Sequence, residues 1–170
     1  MRVSRILLAA GLAVAASMTP IAAQADDTHW TAQLSAAEEV PANESLARGQ
    51  TILSLSSDGT ELEYRLIVAN LENPVAAHIH LAPAGENGAV VAFLYGPAAP
   101  GSGQTSGVIA TGTITADDLV GPLADQPLSE LIEAIEAGDA YVNVHTNDGV
   151  APVTNEPGDI PGGEIRGQID

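Results

Sequence analysis

The chain has 170 residues, no cysteine and no lysine, and sets five arginines against 22 carboxylates for a formal charge of −17. So acidic a surface repels nucleic acid and anionic lipid and suits cations. Without disulfides, stability must come from a packed core or a bound ion, and with one Trp and one Phe that core must be built from Val, Ile, Leu and Ala.

Residues 1–25 read as a secretory leader. Arg2 and Arg5 give a positive start, Ile6 to Ala16 is a short apolar run, and Ala23-Gln24-Ala25 supplies the small-x-small pattern of a cleavage site. The run is too short to span a bilayer comfortably, and no second candidate follows. The expectation is an exported protein, periplasmic or extracellular, with one domain over residues 26–170. That length is enough to bury roughly two-thirds of the unfolded surface. The mature part keeps only Arg48, Arg65 and Arg166 as cations. Dispersed carboxylates suit a salty environment as well as a cationic ligand.

Short alternating segments then follow one another. His29–Ser35 is the first. Gln50–Leu55 and Glu61–Val68 flank Ser57-Asp58-Gly59-Thr60, and Asp-Gly between two alternating runs is a strong hairpin signal. In the second of these runs Leu62, Tyr64, Leu66 and Val68 share one face and Glu61, Glu63 and Arg65 the other. Further strands are expected at Val75–Leu81, Ala89–Leu94, Gly107–Ile114, Ala140–Thr146 and Glu164–Ile169, separated by Gly and Pro clusters. Between Pro127 and Gly138, Leu128, Leu131, Ile132 and Ile135 make a helical stripe, and Gly138 is a natural stop. About eight strands and one short crossover helix predict an all-β, antiparallel, Greek-key-like β-sandwich.

The chemistry concentrates in the histidines. In Ala77-His78-Ile79-His80, residues two apart point to one face of a strand, so His78 and His80 project together. In Tyr141-Val142-Asn143-Val144-His145, the valines form the natural core face and leave His145 on the other. The three imidazoles converge if the two strands are neighbours. Three imidazoles with an open position suit copper first and zinc second, whereas calcium wants oxygen ligands. Asn143, Glu164 and Gln168 are candidates to orient the ring N–H groups. The competing reading makes the histidines structural, in a non-catalytic extracellular module that binds a protein, glycan or surface. His29, close to the expected mature amino terminus, offers a separate Cu(II) arrangement with backbone nitrogens. The acidic stretch Asp148 to Asp159 reads as a mobile surface insertion that would also suit calcium. Serines lack a nucleophile-elbow context and no phosphate-cradling loop is present. The sequence is equally compatible with a monomer and a homodimer.

Five pieces together resemble the CHRD domain, named from chordin and common in secreted bacterial proteins. They are Leu34–Pro41, Ala77–His80, Ala110–Thr115, Tyr141–Thr146 and Gly163–Ile169, in the family's order and across nearly the whole mature chain. In most relatives the last two pieces are separated by only a few residues, whereas here Asn147–Gly162 intervenes. A weaker similarity is to the copper site of copper/zinc superoxide dismutases. Those are β-sandwiches with a His-x-His strand, a later copper-binding histidine and an arginine near the C-terminus that attracts superoxide. His78, His80, His145 and Arg166 occur in that order, and the resemblance implies a catalytic role for Arg166 with superoxide as the substrate. No bridging histidine, zinc loop or disulfide accompanies them.

Overall fold

The computed structural model describes residues 28–170. The leader assigned to residues 1–25 lies outside them, as do Asp26 and Asp27. Eight strands form: β1 (His29–Ser35), β2 (Arg48–Leu55), β3 (Leu62–Glu72), β4 (Pro74–Leu81), β5 (Ala89–Tyr95), β6 (Gln104–Ile114), β7 (Ala140–Thr146) and β8 (Ile165–Gln168). One helix, α1 (Leu128–Glu136), lies between β6 and β7, and short 3-10 turns occupy Ala36–Glu38, Ala116–Asp118 and Gly121–Leu123. The 3-10 turns have no counterpart in the sequence reading, because three residues carry no periodicity.

Every ladder is antiparallel. The all-β architecture is therefore as expected, and it takes the form of one eight-stranded sheet in the order β5-β4-β7-β8-β1-β2-β3-β6. The sheet curls until its two edge strands, β5 and β6, come together. Tyr64 on β3 spans this seam, donating its hydroxyl to Leu94 O on β5 at 2.8 Å. The ring can lie flat there because its cross-strand partner is Gly112. A Cβ on that glycine would come within 2.7–2.9 Å of the tyrosine ring and hydroxyl.

The expected patterns explain the core. On β3, Leu62, Leu66 and Val68 are buried while Glu63 and Arg65 are exposed. The Asp58-Gly59 turn joins β2 to β3, with Asp58 accepting from the Ser56 and Thr60 hydroxyls at 2.7 and 2.8 Å. All four residues of the helical stripe are buried. Gly138, at φ +75°, ends the helix in a left-handed turn in which the Asp139 N–H reaches back to Ala134 O at 2.8 Å. The C-terminal strand β8 joins the two halves of the sheet. It pairs with β7 over four residues, and with β1 through Ser35 opposite Arg166 and Ala32 opposite Ile169.

Tyr64→Phe removes the hydroxyl bridge across the seam and leaves Leu94 O without that donor. It is expected to cost about 1 kcal/mol, or about 2–4 °C in Tm for a domain of this size, by calorimetry. An unchanged Tm would show that the seam does not depend on this bond.

Candidate metal centre

Strands β4 and β7 are neighbours, and the register runs straight through the histidine segment. His78 lies opposite Asn143, His80 opposite Tyr141, and Ala76 opposite His145. His145 is thus diagonal to His78 on the same face, and Ala77, Ile79, Val142 and Val144 fill the core on the other. On its far side β4 meets β5 with two register shifts, one before His78 and one after Ile79. The extra residues are the buried Val91 and Leu94, so β5 keeps apolar side chains in the core while bulges bracket the His-x-His pair.

The convergence expected from the sequence is present: one ring nitrogen from each of His78, His80 and His145 lies within 4.8 Å of the others. Ring centroids are 4.9 Å apart for His78 and His145, 5.6 Å for His78 and His80, and 6.0 Å for His80 and His145. His78 Nδ1 and His145 Nε2 are 3.1 Å apart. With metal–imidazole bonds of about 2.0–2.1 Å, two ligand nitrogens are separated by about 2.9 Å at a right angle and about 3.4 Å at the tetrahedral angle. The pair is already at a ligand spacing, and His80, within 4.8 Å of both, needs to close by at most about 1.4 Å to reach the tetrahedral spacing. The three rings fit a transition metal.

Backbone carbonyls fix the rings. His80 Nδ1 is 3.0 Å from Gly88 O and His145 Nδ1 is 3.0 Å from Pro161 O. A carbonyl only accepts, so both Nδ1 atoms carry the proton and both Nε2 atoms present lone pairs. His80 Nε2 is buried and has no hydrogen-bond partner. Burial, reinforced by repulsion from His145 and His80, pushes His78 down to about 4 from its ordinary 6.5. Burial likewise lowers His80 and His145, against the raising effect of the Gly88 and Pro161 carbonyls. Neutral imidazole, the form that binds metal, is favoured in all three.

The other site candidates are placed differently from one another. Asn143 and Arg166 lie on the histidine face, 3 % and 1 % exposed, but neither bonds a ring nitrogen. Asn143 Nδ2 approaches Glu39 Oε2 at 3.5 Å. Glu164 accepts from Ser45 Oγ, Thr146 Oγ1 and the Gly158 N–H at 2.5, 2.6 and 2.8 Å. Gln168 donates to Ala82 O and Gly138 O. The groups orienting the rings are therefore main-chain carbonyls, for which a sequence carries no signal. Arg166 donates to Glu86 O at 2.9 Å and Asn87 Oδ1 at 3.2 Å, and its guanidinium carbon sits 3.7 Å from the Tyr141 ring centroid. Tyr141 in turn stacks on His80, 13° from parallel at 4.9 Å. The sequence could have pointed to Tyr141, since it shares the face of Asn143 and His145. Phe93, 54 % exposed, sets its edge against His78 at 4.9 Å. His29 lies on β1, with ring nitrogens at Thr28 and Ser54, apart from this cluster.

The outer face is not bare, as the alternation alone implied. Segments 36–47, 82–88 and 148–163 fold over it, tied by Asn87 Nδ2 to Val40 O at 2.7 Å and Asn43 Nδ2 to Glu164 O at 3.0 Å. The stretch expected to be a mobile insertion is exposed from Gly149 to Pro157 and docked at its end. Thr146 N–H bonds Ile160 O, Asp159 Oδ2 accepts from Thr154 N and Oγ1, and Asp159 and Ile160 are buried. Beneath this cover lies Glu39, pushed up to about 7 chiefly by burial, with Arg166 and Asn143 opposing and Glu164 reinforcing the rise.

A family model described as CHRD domain matches residues 30–169. No curated protein and no solved structure matches the chain. Among the described residues no helix is long and apolar enough to cross a membrane.

Two of the perturbed groups act in opposite directions across the acidic range. His78 binds its proton at about 4 folded and 6.5 unfolded, so its contribution is lost as pH falls from 6.5 through 4. Glu39 binds its proton at about 7 folded and 4.5 unfolded, so its contribution is lost as pH rises from 4.5 through 7. Metal-free protein is expected to lose Tm as pH falls from 6.5 to 4.5 less steeply in His78→Gln, and as pH rises from 4.5 to 7 less steeply in Glu39→Gln. Parallel curves for wild type and variant would contradict either assignment.

Proposed function

This chain belongs to the CHRD domain family, and from that premise we propose that it is an exported domain whose His78, His80 and His145 hold a transition metal, copper first and zinc second. The observation carrying this reading is the Nε2 lone pair of His80. It is buried without a partner and held in that tautomer by Gly88 O, on a ring with a nitrogen within 4.8 Å of two more imidazoles. A buried acceptor left empty costs about 1–3 kcal/mol, and a metal ion would remove that cost. An all-imidazole donor set is matched by copper and zinc, and the affinity order of divalent metals favours copper. The dense negative charge of the chain raises the local concentration of any cation. Export rests on the reading of residues 1–25.

Bound copper would supply one-electron chemistry at an open position. A superoxide dismutase-like activity is the redox extension of this reading, with Arg166 as the residue that draws the anion. The guanidinium is 1 % exposed and committed to Glu86, Asn87 and Tyr141, so its charge acts from beneath the site. Binding of the metal therefore stands ahead of turnover. The structural reading of the histidines has one observation in its favour, the 3.1 Å contact between His78 and His145, which satisfies those two rings without a metal. It leaves His80 Nε2 unexplained.

Titration calorimetry with Cu(II) is expected to give one site per chain. His80→Ala is expected to weaken it by at least about 100-fold, and His29→Ala to leave it intact. Because burial depresses the histidines, uptake is expected to persist at pH 6 and to fail only as pH approaches 4. Equal affinity in wild type and His80→Ala would remove the site. Stoichiometric copper without superoxide decay would leave storage or transfer.

A further inference from the structure

Glu39 and Asn143 make a second polar cluster that the histidine centre does not use. A cleft of about 470 Å³ opens between the Glu39–Asn43 segment and the strap Ile160–Gly163. Glu39 lines it, and its Oε1 is buried without a hydrogen-bond partner. Asn143 Oδ1, beside it, is equally buried and equally unpartnered. Glu39 is 7 % exposed and Asn143 3 %. Gly163, also in the cleft wall, stands over the amide. A Cβ there would lie 2.6 Å from Asn143 Oδ1, and the backbone at φ +132° disfavours a side chain in any case. Glycine thus lets the strap lie directly against the amide. The remaining wall is largely apolar, from Val40, Pro41, Ala42 and Ile160.

Glu39 Oε1, an empty acceptor in an apolar-walled cleft, calls for a donor on a short aliphatic stem. We propose that this cleft is a second binding site, taking the ammonium group of a small primary amine, with Glu39 Oε1 as its acceptor. An ammonium carries three N–H donors and no acceptor, which matches an oxygen lacking a donor. Its charge also relieves the desolvated carboxylate, as a charge-assisted bond does. The charged neighbours of Glu39 are Arg166, which opposes a cation, and Glu164, which favours one. The site uses none of the histidines.

The probe is n-butylammonium chloride added to metal-free protein, with 1-butanol and calcium chloride as comparisons, followed by amide NMR shifts. Saturable shifts are expected at residues 39–43 and 160–163 with the ammonium alone. Glu39→Gln, close to isosteric, is expected to weaken binding at least tenfold while leaving copper uptake unchanged. The cation needs Glu39 ionised, and the butylammonium stays charged throughout. Affinity should therefore rise about tenfold from pH 6 to pH 8 around a carboxyl near 7. No saturable shift would mean that water alone fills the cleft, and equal binding of 1-butanol would mean that only its apolar wall is used. Calcium binding sensitive to Glu39→Gln would reassign it to a hard cation. Each of these outcomes overturns the proposal.

Discussion

Strand β7 is buried on both faces, and the rest of the molecule is arranged to allow that. Six of its seven residues are buried and only His145 keeps partial exposure. Val142 and Val144 meet the apolar core, which costs nothing in unmet hydrogen bonds. Tyr141, Asn143 and His145 face a second, polar layer in which each donor and acceptor needs a partner. The Tyr141 hydroxyl accepts from Gly88 N–H and its ring carries Arg166, while His145 donates to Pro161 O. The covering segments fill this layer, and among the described residues they leave unfilled His80 Nε2, Asn143 Oδ1 and Glu39 Oε1, with Asp159 Oδ1 in the cover itself.

Those vacancies mark where the fold departs from maximal stability. Fully satisfied polar networks rigidify a protein, whereas unmet acceptors are costly and tend to sit where something else is to bind. The histidines are held neutral by burial and aimed by main-chain carbonyls from two loops, Gly88 and Pro161, on opposite sides of the β4–β7 ladder. Such anchors leave little freedom in ring orientation before a metal arrives. Arg166 contributes from below. It stacks on Tyr141, Tyr141 stacks on His80, and the positive charge helps to keep His80 unprotonated.

Much of this was legible in the residues. Period-two alternation put His78 with His80, and the valines of β7 assigned His145 to the same side. The helical stripe from Leu128 to Ile135 and the Asp58-Gly59 hairpin followed from local rules alone. The adjacency of β4 and β7 was not legible, because α1 and two strands separate them along the chain and sheet order is set by non-local pairing. The polar layer was invisible for a related reason: alternation tells which side faces away from the core, not whether a distant loop covers it. Hence Arg166, expected to attract superoxide, lies at 1 % exposure, and Glu39, one of several carboxylates in an acidic chain, proved to be buried.

On the proposed reading, three imidazoles share one ion. Electron paramagnetic resonance of protein loaded with one equivalent of Cu(II), with pulsed detection of remote imidazole nitrogens, tests it most directly. The expected spectrum shows a single centre with three equatorial histidines, reduced to two in His80→Ala. A spectrum of backbone amide nitrogens with one histidine would place the copper at the amino terminus beside His29, and one of carboxylate oxygens would place it on the acidic surface. Either result would contradict the claim.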